Sequence, residues 1–64
     1  MEKYVGCTVE IIYLAQSGQI TRRRIQILQV RGGIVRAYCL ERQGIRAFRR
    51  ENILALQPLI VRAG

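Results

Sequence analysis

The sequence contains no histidine, no aspartate and no tryptophan, and its single serine is Ser17. Histidine is the usual general base beside a catalytic nucleophile, and nothing in this chain replaces it in a recognisable motif. A zinc site usually takes four Cys or His ligands, whereas this chain has two cysteines and no histidine. We therefore expect no enzyme activity, no metal site and no cofactor.

Long apolar runs are also lacking. None approaches the roughly 20 residues that a membrane-spanning helix requires, and the N-terminus does not show the charged and then apolar order of a signal peptide. The two cysteines, Cys7 and Cys39, both lie within apolar runs. Without a secretion signal, we expect buried, reduced thiols rather than a disulfide. These features predict a soluble, cytoplasmic protein with no membrane partner.

Negative charge is scarce, whereas positive charge is abundant. The chain has four glutamates and eleven Lys and Arg residues, which gives a net charge of +7, and ten of the eleven are arginines. Arginine forms bidentate contacts with phosphate and stacks on bases. The excess therefore points to an anionic partner, nucleic acid or a nucleotide. A merely solvated basic surface is the alternative, but alternation of arginines with apolar residues along strands favours a binding face.

The chain is long enough for one domain, residues 1–64, and its apolar residues recur with a period of two. We place strands at residues 7–14, 20–30 and 54–61, and a hairpin at 34–53. The Gly32-Gly33 pair is a strong hairpin signal, and residues 50–53 suit a single helical turn. The predicted fold is all-β: a small, strongly bent five-stranded barrel of the SH3-like or Sm-like type, with a short helical turn before the last strand.

The hairpin at 34–53 carries the strongest functional signal. We expect a three-residue loop at 42–44, in which Gly44 takes the left-handed conformation that closes such loops. In this register one face consists of Arg36, Tyr38, Leu40, Arg46, Phe48 and Arg50. The opposite, apolar face consists of Val35, Ala37, Cys39, Ile45 and Ala47. The hairpin would then present a basic and aromatic side and an apolar side.

Arg36 and Arg46 are the strongest candidates for contacts with an anion. Pairing with glutamates across the sheet is the alternative, but such exposed pairs are worth only about 0–1 kcal/mol. Tyr38, which we expect to be partly exposed, offers a stacking surface worth ~1–3 kcal/mol per base. Phe48 is expected in the core. In the run 22–24, parity places Arg23 on the apolar side of its strand.

Two stretches of the chain resemble a known family in order and spacing: VEIIYLAQSGQITRRRIQIL and VRAYCLERQGIRAFRRENI. They are similar to the WYL domain of bacterial transcriptional regulators, across residues 9–56. The matching residues are Tyr13, Gly18, Arg23, Ile25, Val35, Ala37, Tyr38, Arg46, Phe48, Arg49, Glu51 and Ile53. The chain departs from the family where the naming triplet reads Gly33-Ile34-Val35, where Ile27 replaces a proline and where Asn52 replaces an arginine.

The resemblance implies a bent Sm-like barrel whose basic groove binds single-stranded nucleic acid or a nucleotide-like anion, as a sensing module in transcriptional regulation. It adds Arg23 and Arg49 to the groove, although parity in the hairpin places Arg49 on the apolar side. Family members usually carry a winged helix-turn-helix. Since no such pattern is present in this sequence, the resemblance implies a separate DNA-binding protein as a partner.

An assembly module without a ligand of its own is the alternative function. Open strand edges pair readily with other chains, and a small domain gains stability by forming a homo-oligomer. The last part of the chain has apolar residues that would serve such an interface: Leu54, Leu56, Leu59, Ile60 and Val61.

Overall fold

The computed structural model describes residues 2–59, and its regular structure is almost entirely β. The strands are β1 (Thr8–Leu14), β2 (Ile20–Arg31), β3 (Ile34–Cys39), β4 (Gly44–Arg49) and β5 (Ile53–Pro58). Two 3₁₀ turns, Glu2–Tyr4 and Arg50–Asn52, complete the regular elements. The predicted all-β class and the helical turn before the last strand are confirmed. Of the residues predicted for the last strand, 60 and 61 lie outside the described residues.

The five strands form one antiparallel sheet in the order β4-β3-β2-β1-β5. Within residues 2–59 no ladder joins β4 to β5, so the closure of the predicted barrel is not found. The sheet is nevertheless strongly bent, because β1 and β4 touch across two intervening strands. The rings of Tyr13 and Phe48 meet edge to face, with centroids 5.0 Å apart. None of the helical segments described is long and apolar enough to cross a membrane.

Alternation along β1 and β2 builds half of the buried core. Val9 and Ile11 on β1 and Ile25 and Ile27 on β2 are fully buried on the inner side of the bend, as the period of two predicts. Arg23 lies on the same side and is half-buried, which confirms its predicted side. The core is completed by Val35, Ala37, Cys39 and Phe48.

The β2–β3 hairpin has the predicted Gly-Gly loop. Arg31 pairs with Ile34, which leaves a two-residue loop in which Gly32 and Gly33 both have positive φ, +56° and +78°. Two consecutive positive φ angles match the right-handed twist of the flanking strands, and glycine adopts them without a steric cost.

The β3–β4 loop differs from the prediction. Cys39 pairs with Gly44, so the loop comprises the four residues 40–43, and Gly44 already belongs to β4. The left-handed residue is Gln43, with a φ of +54°, and its N–H donates to the Cys39 carbonyl at 2.7 Å. One residue more in the loop moves every β4 side chain to the other face of the sheet.

The predicted shared face of the hairpin is therefore wrong. Arg46 and Phe48 lie on the inner face, where Phe48 is 1% exposed, whereas Arg36 and Tyr38 lie on the outer face. Ile45 and Ala47, expected on the apolar side, are outer and exposed, and so is Arg49, which pairs with Ile34. The predicted core position of Phe48 and partial exposure of Tyr38 are confirmed.

Both cysteines are free thiols, but only one of them is buried. Cys39 lies in the core, as predicted. Cys7 is exposed, which contradicts the prediction, because it precedes β1 in a turn closed by its own N–H donating to the Tyr4 carbonyl at 2.9 Å.

Candidate anion-binding groove

A cavity of about 330 Å³ opens where residues of β1, β2 and β4 meet. Its cationic lining consists of Arg23, Arg46 and Arg49, and its aromatic lining consists of Tyr13 and Phe48. We call this cavity the inner groove. The bend of the sheet creates it, because Arg23 and Arg46 come from strands that are separated by β3.

Contacts other than ion pairs orient Arg23 and Arg46. The Nε–H of Arg23 donates to the Thr21 hydroxyl oxygen at 3.3 Å. The guanidinium carbon of Arg46 lies 5.6 Å from the centroid of the Phe48 ring, a cation–π geometry. This contact follows from the strand period, which places residues 46 and 48 on one face. Both arginines are thus held at the groove by contacts that leave their charge unpaired within the described residues.

The distribution of ion pairs also indicates that the groove is cationic. In the part of the chain that the structure describes, the ion pairs are Arg22–Glu10, Arg24–Glu41 and Arg49–Glu51, with N–O distances of 4.0, 2.9 and 3.6 Å. Neither Arg23 nor Arg46 has an ion pair within residues 2–59. Two cations on the same cavity repel each other, and a bound anion would relieve that repulsion.

Arg49 contributes to the groove through its backbone. Its backbone N–H donates to the hydroxyl oxygen of Tyr13 at 3.0 Å, which ties the end of β4 to β1. Its guanidinium faces Glu51, but the two side chains are 62% and 73% exposed. An ion pair this exposed is worth about 0–1 kcal/mol, and the register places the Arg49 side chain with Ile34 on the outer face, so the contact that Arg49 makes at the groove is the one from its backbone.

Glu41 is held away from the groove. The Nε–H and the backbone N–H of Arg24 donate to its two carboxylate oxygens at 2.9 and 3.2 Å. The side-chain hydrogen bond from Arg24 is the main reason why the pKa of Glu41 lies below its usual value. Neither residue lines the inner groove, so Glu41 adds no carboxylate to its lining.

The structure brings together three of the five predicted site residues and separates the other two. Arg23, Arg46 and Arg49 line the inner groove, whereas Arg36 and Tyr38 lie on the outer face of the sheet. Sequence reasoning did not assign Tyr13 to the site. Its alternation with Val9 and Ile11 on β1 was the signal that could have placed it there.

The charged and aromatic residues named in the groove are all among the residues on which the resemblance to the WYL domain is based. Tyr38, which is also among those residues, lies on the other face. No family model, no curated protein and no solved structure matches the chain, so the resemblance depends on the sequence pattern alone.

Proposed function

We propose that the chain is a ligand-binding module whose inner groove takes the phosphate of single-stranded nucleic acid or of a nucleotide-like anion. The observation that carries this proposal is the pair Arg23 and Arg46, which share one cavity and have no ion pair within the described residues. Arginine forks bind phosphate oxygens in a bidentate manner with charge-assisted hydrogen bonds. Arg49 lines the same cavity at the end of β4, where its backbone N–H donates to the Tyr13 hydroxyl oxygen.

The groove favours contacts with phosphate over contacts with bases. Phe48 is 1% exposed and is covered by Arg46, so its ring offers no stacking surface. The hydroxyl group of Tyr13 is already engaged with the Arg49 N–H. Tyr38, the predicted stacking residue, lies on the other side of the sheet. We therefore expect binding that depends on phosphate and differs little between base sequences.

A role as a sensing module in transcriptional regulation, with a separate DNA-binding protein as partner, is the biological context that the WYL resemblance suggests. The strand order and the 3₁₀ turn before β5 support an SH3-like or Sm-like arrangement. The strong bend of the sheet, with Tyr13 against Phe48, supports it as well.

Fluorescence anisotropy with a labelled single strand, at low and moderate salt, tests the proposal. We expect binding that weakens steeply with salt, because each neutralised phosphate releases counterions, with a slope of about −0.7 per phosphate contact. Arg46→Ala should weaken binding roughly tenfold or more, the value of a charge-assisted hydrogen bond. Arg36→Ala is the matched control, because it removes the same charge from the outer face of the same hairpin.

Two results would contradict the proposal outright, and a third would relocate the site. One is the absence of binding at low salt, or binding that is indifferent to salt. The other is an equal loss of affinity in Arg46→Ala and Arg36→Ala, which would mean that only the net charge matters. A loss confined to Arg36→Ala would move the site to the outer face.

Assembly into a homo-oligomer is a second candidate, favoured by the two open edges of the sheet. Each edge strand exposes a large apolar side chain, Ile45 on β4 and Leu54 on β5, at 59% and 52%. Exposed edges of this kind pair readily with other chains. Light scattering across protein concentrations tests this: a mass above that of the monomer, reduced by Leu54→Lys, is expected, and a strict monomer at all concentrations would count against it.

A further inference from the structure

The outer face of the β2–β3–β4 sheet is ordered in rows by its pairing register. One row consists of Arg31, Ile34 and Arg49, the next of Gln29, Arg36 and Ala47, and the third of Gln26, Tyr38 and Ile45. Along β3 and β4 the side chains of neighbouring rows lie about 6.6 Å apart, two residues at roughly 3.3 Å each. On β2 a register shift between Ile27 and Gln29 separates the second and third rows by three residues. The outer face is therefore most cationic at the row of Arg31 and Arg49 and most apolar two rows away, at the row of Tyr38 and Ile45.

The outer face combines exposed apolar side chains with uncompensated positive charge. Ile34 is 38% exposed, Ile45 is 59% exposed and Tyr38 is half-buried. Arg31 and Arg36 have no ion pair within residues 2–59, and the three rows contain no carboxylate. Tyrosine and arginine, without lysine or acidic residues, is the composition typical of the centre of a protein–protein interface.

We propose that this outer face docks an extended, acidic segment of a partner protein. The spacing of the rows fits an extended segment. In such a segment alternate side chains lie on one side, about 6.6 Å apart, which is the distance between neighbouring rows on β3 and β4. An acidic residue would face Arg36, and an apolar residue two positions further along would cover Tyr38 and Ile45. The positive charge of Arg31 and Arg36 favours a partner segment that carries acidic side chains.

A nucleic acid fits the outer face less well than a protein segment. Arg36 and Tyr38 alone would serve a phosphate and a base, but Ile34 and Ile45 give a base no aromatic ring to stack on. Apolar side chains of a protein segment would instead bury the exposed area of these two isoleucines, which stabilises a complex. The proposed partner site goes beyond the groove function, and the two surfaces lie on opposite faces of one hairpin, so that both can be occupied together.

The test is a ¹H–¹⁵N NMR titration of the full chain with a synthetic peptide in which Glu and Phe occupy every second position and Thr occupies the positions between. A matched peptide carries Lys in place of Glu. We expect the acidic peptide, and not the basic one, to shift the amide signals of Arg36, Tyr38 and Ile45. Signals of Arg23 and Arg46, in the groove, should stay in place.

Variants locate the contact on the outer face. Arg36→Glu should weaken binding of the acidic peptide at least roughly tenfold and allow the basic peptide to bind, because like charges across an interface repel. Arg42→Glu makes the same charge change in the β3–β4 loop and should leave binding unchanged. Ile45→Ser, at an exposed position, should also weaken binding, and it serves as the second test if Arg36→Glu does not fold.

Several outcomes would overturn the proposal. They are no shift with the acidic peptide, equal shifts with both peptides, shifts confined to the groove, or equal effects of Arg36→Glu and Arg42→Glu. A further one is a single-stranded oligonucleotide that shifts the outer-face signals when the acidic peptide does not, which would make the surface a nucleic-acid site. Shifts confined to the groove would show that the acidic peptide binds in the inner groove instead, whereas the other outcomes do not depend on whether that groove binds an anion.

Discussion

Replacing Gln43 with glycine tests the β3–β4 register on which the inner groove depends. Gln43 is the one non-glycine residue with positive φ in the described part of the chain, at +54°. A non-glycine residue in the left-handed region costs roughly 1–2 kcal/mol. Glycine removes that cost but raises the entropy of the unfolded chain, which offsets about 0.4–1 kcal/mol. The free energy of unfolding should therefore rise by about 0.5–1 kcal/mol for Gln43→Gly.

Gly44→Ala is the companion variant. Gly44 lies in β4 and is not among the positive-φ residues of the described chain. A Cβ added there would have the Arg42 carbonyl oxygen as its nearest neighbour, at 3.9 Å, an ordinary contact. Alanine also reduces the entropy of the unfolded chain, so we expect a gain of about 0.4–1 kcal/mol.

Urea denaturation measures both variants, at an unchanged m-value. In a domain this small, 1 kcal/mol corresponds to a change in Tm of roughly 4–8 °C. The three-residue loop predicts the opposite pattern, because Gly44 would then be left-handed and Gly44→Ala would cost about 1–2 kcal/mol. A destabilised Gly44→Ala together with an unimproved Gln43→Gly would refute the register, and Arg46 would leave the groove with it.

Three further predictions concern single contacts. Tyr13→Phe removes the acceptor of the Arg49 N–H and should cost about 0.5–1.5 kcal/mol in urea denaturation; an unchanged stability would mean that this bond does not form in solution. Because the hydrogen bond from Arg24 lowers the pKa of Glu41 in the folded state, its stabilisation is present above the unfolded pKa and is lost as pH falls through the folded pKa. Stability should therefore decline less below about pH 4.3 in Glu41→Gln than in the wild type, and identical pH profiles would contradict this. Cys7 should react with a thiol reagent in the native protein while the second cysteine reacts only after unfolding; two fast native reactions would contradict the assigned burial.

Features that depend on the local backbone were predictable from the sequence. Side chains alternate along any strand, so the apolar positions of β1 and β2 placed Val9, Ile11, Ile25 and Ile27 on one face and Arg23 beside them. The Gly32-Gly33 pair specified its two-residue loop, because few other residues adopt two positive φ angles. The all-β class and the turn before β5 followed from the same local signals.

The β3–β4 register could not be read locally, because the sequence allows both a three-residue loop ending at Gly44 and a four-residue loop ending at Gln43. The two loops differ in what they bury. The observed register places Phe48 beside Val35 and beneath Tyr13, in the core, whereas the alternative would expose the ring and bury Ala47. Burial of a phenylalanine side chain contributes roughly 1.5–3 kcal/mol, which matches or exceeds the roughly 1–2 kcal/mol that a left-handed glutamine costs.

The sequence by itself thus determined an arginine-rich, all-β chain with few acids, and with it the expectation of an anionic partner. Which arginines share a surface was decided only by the tertiary structure. Arg23 and Arg46 lie on strands that do not pair, and they meet because the sheet bends until Tyr13 touches Phe48. The same register separates Arg46 from Arg36, since a shift of one residue in a strand exchanges its two faces.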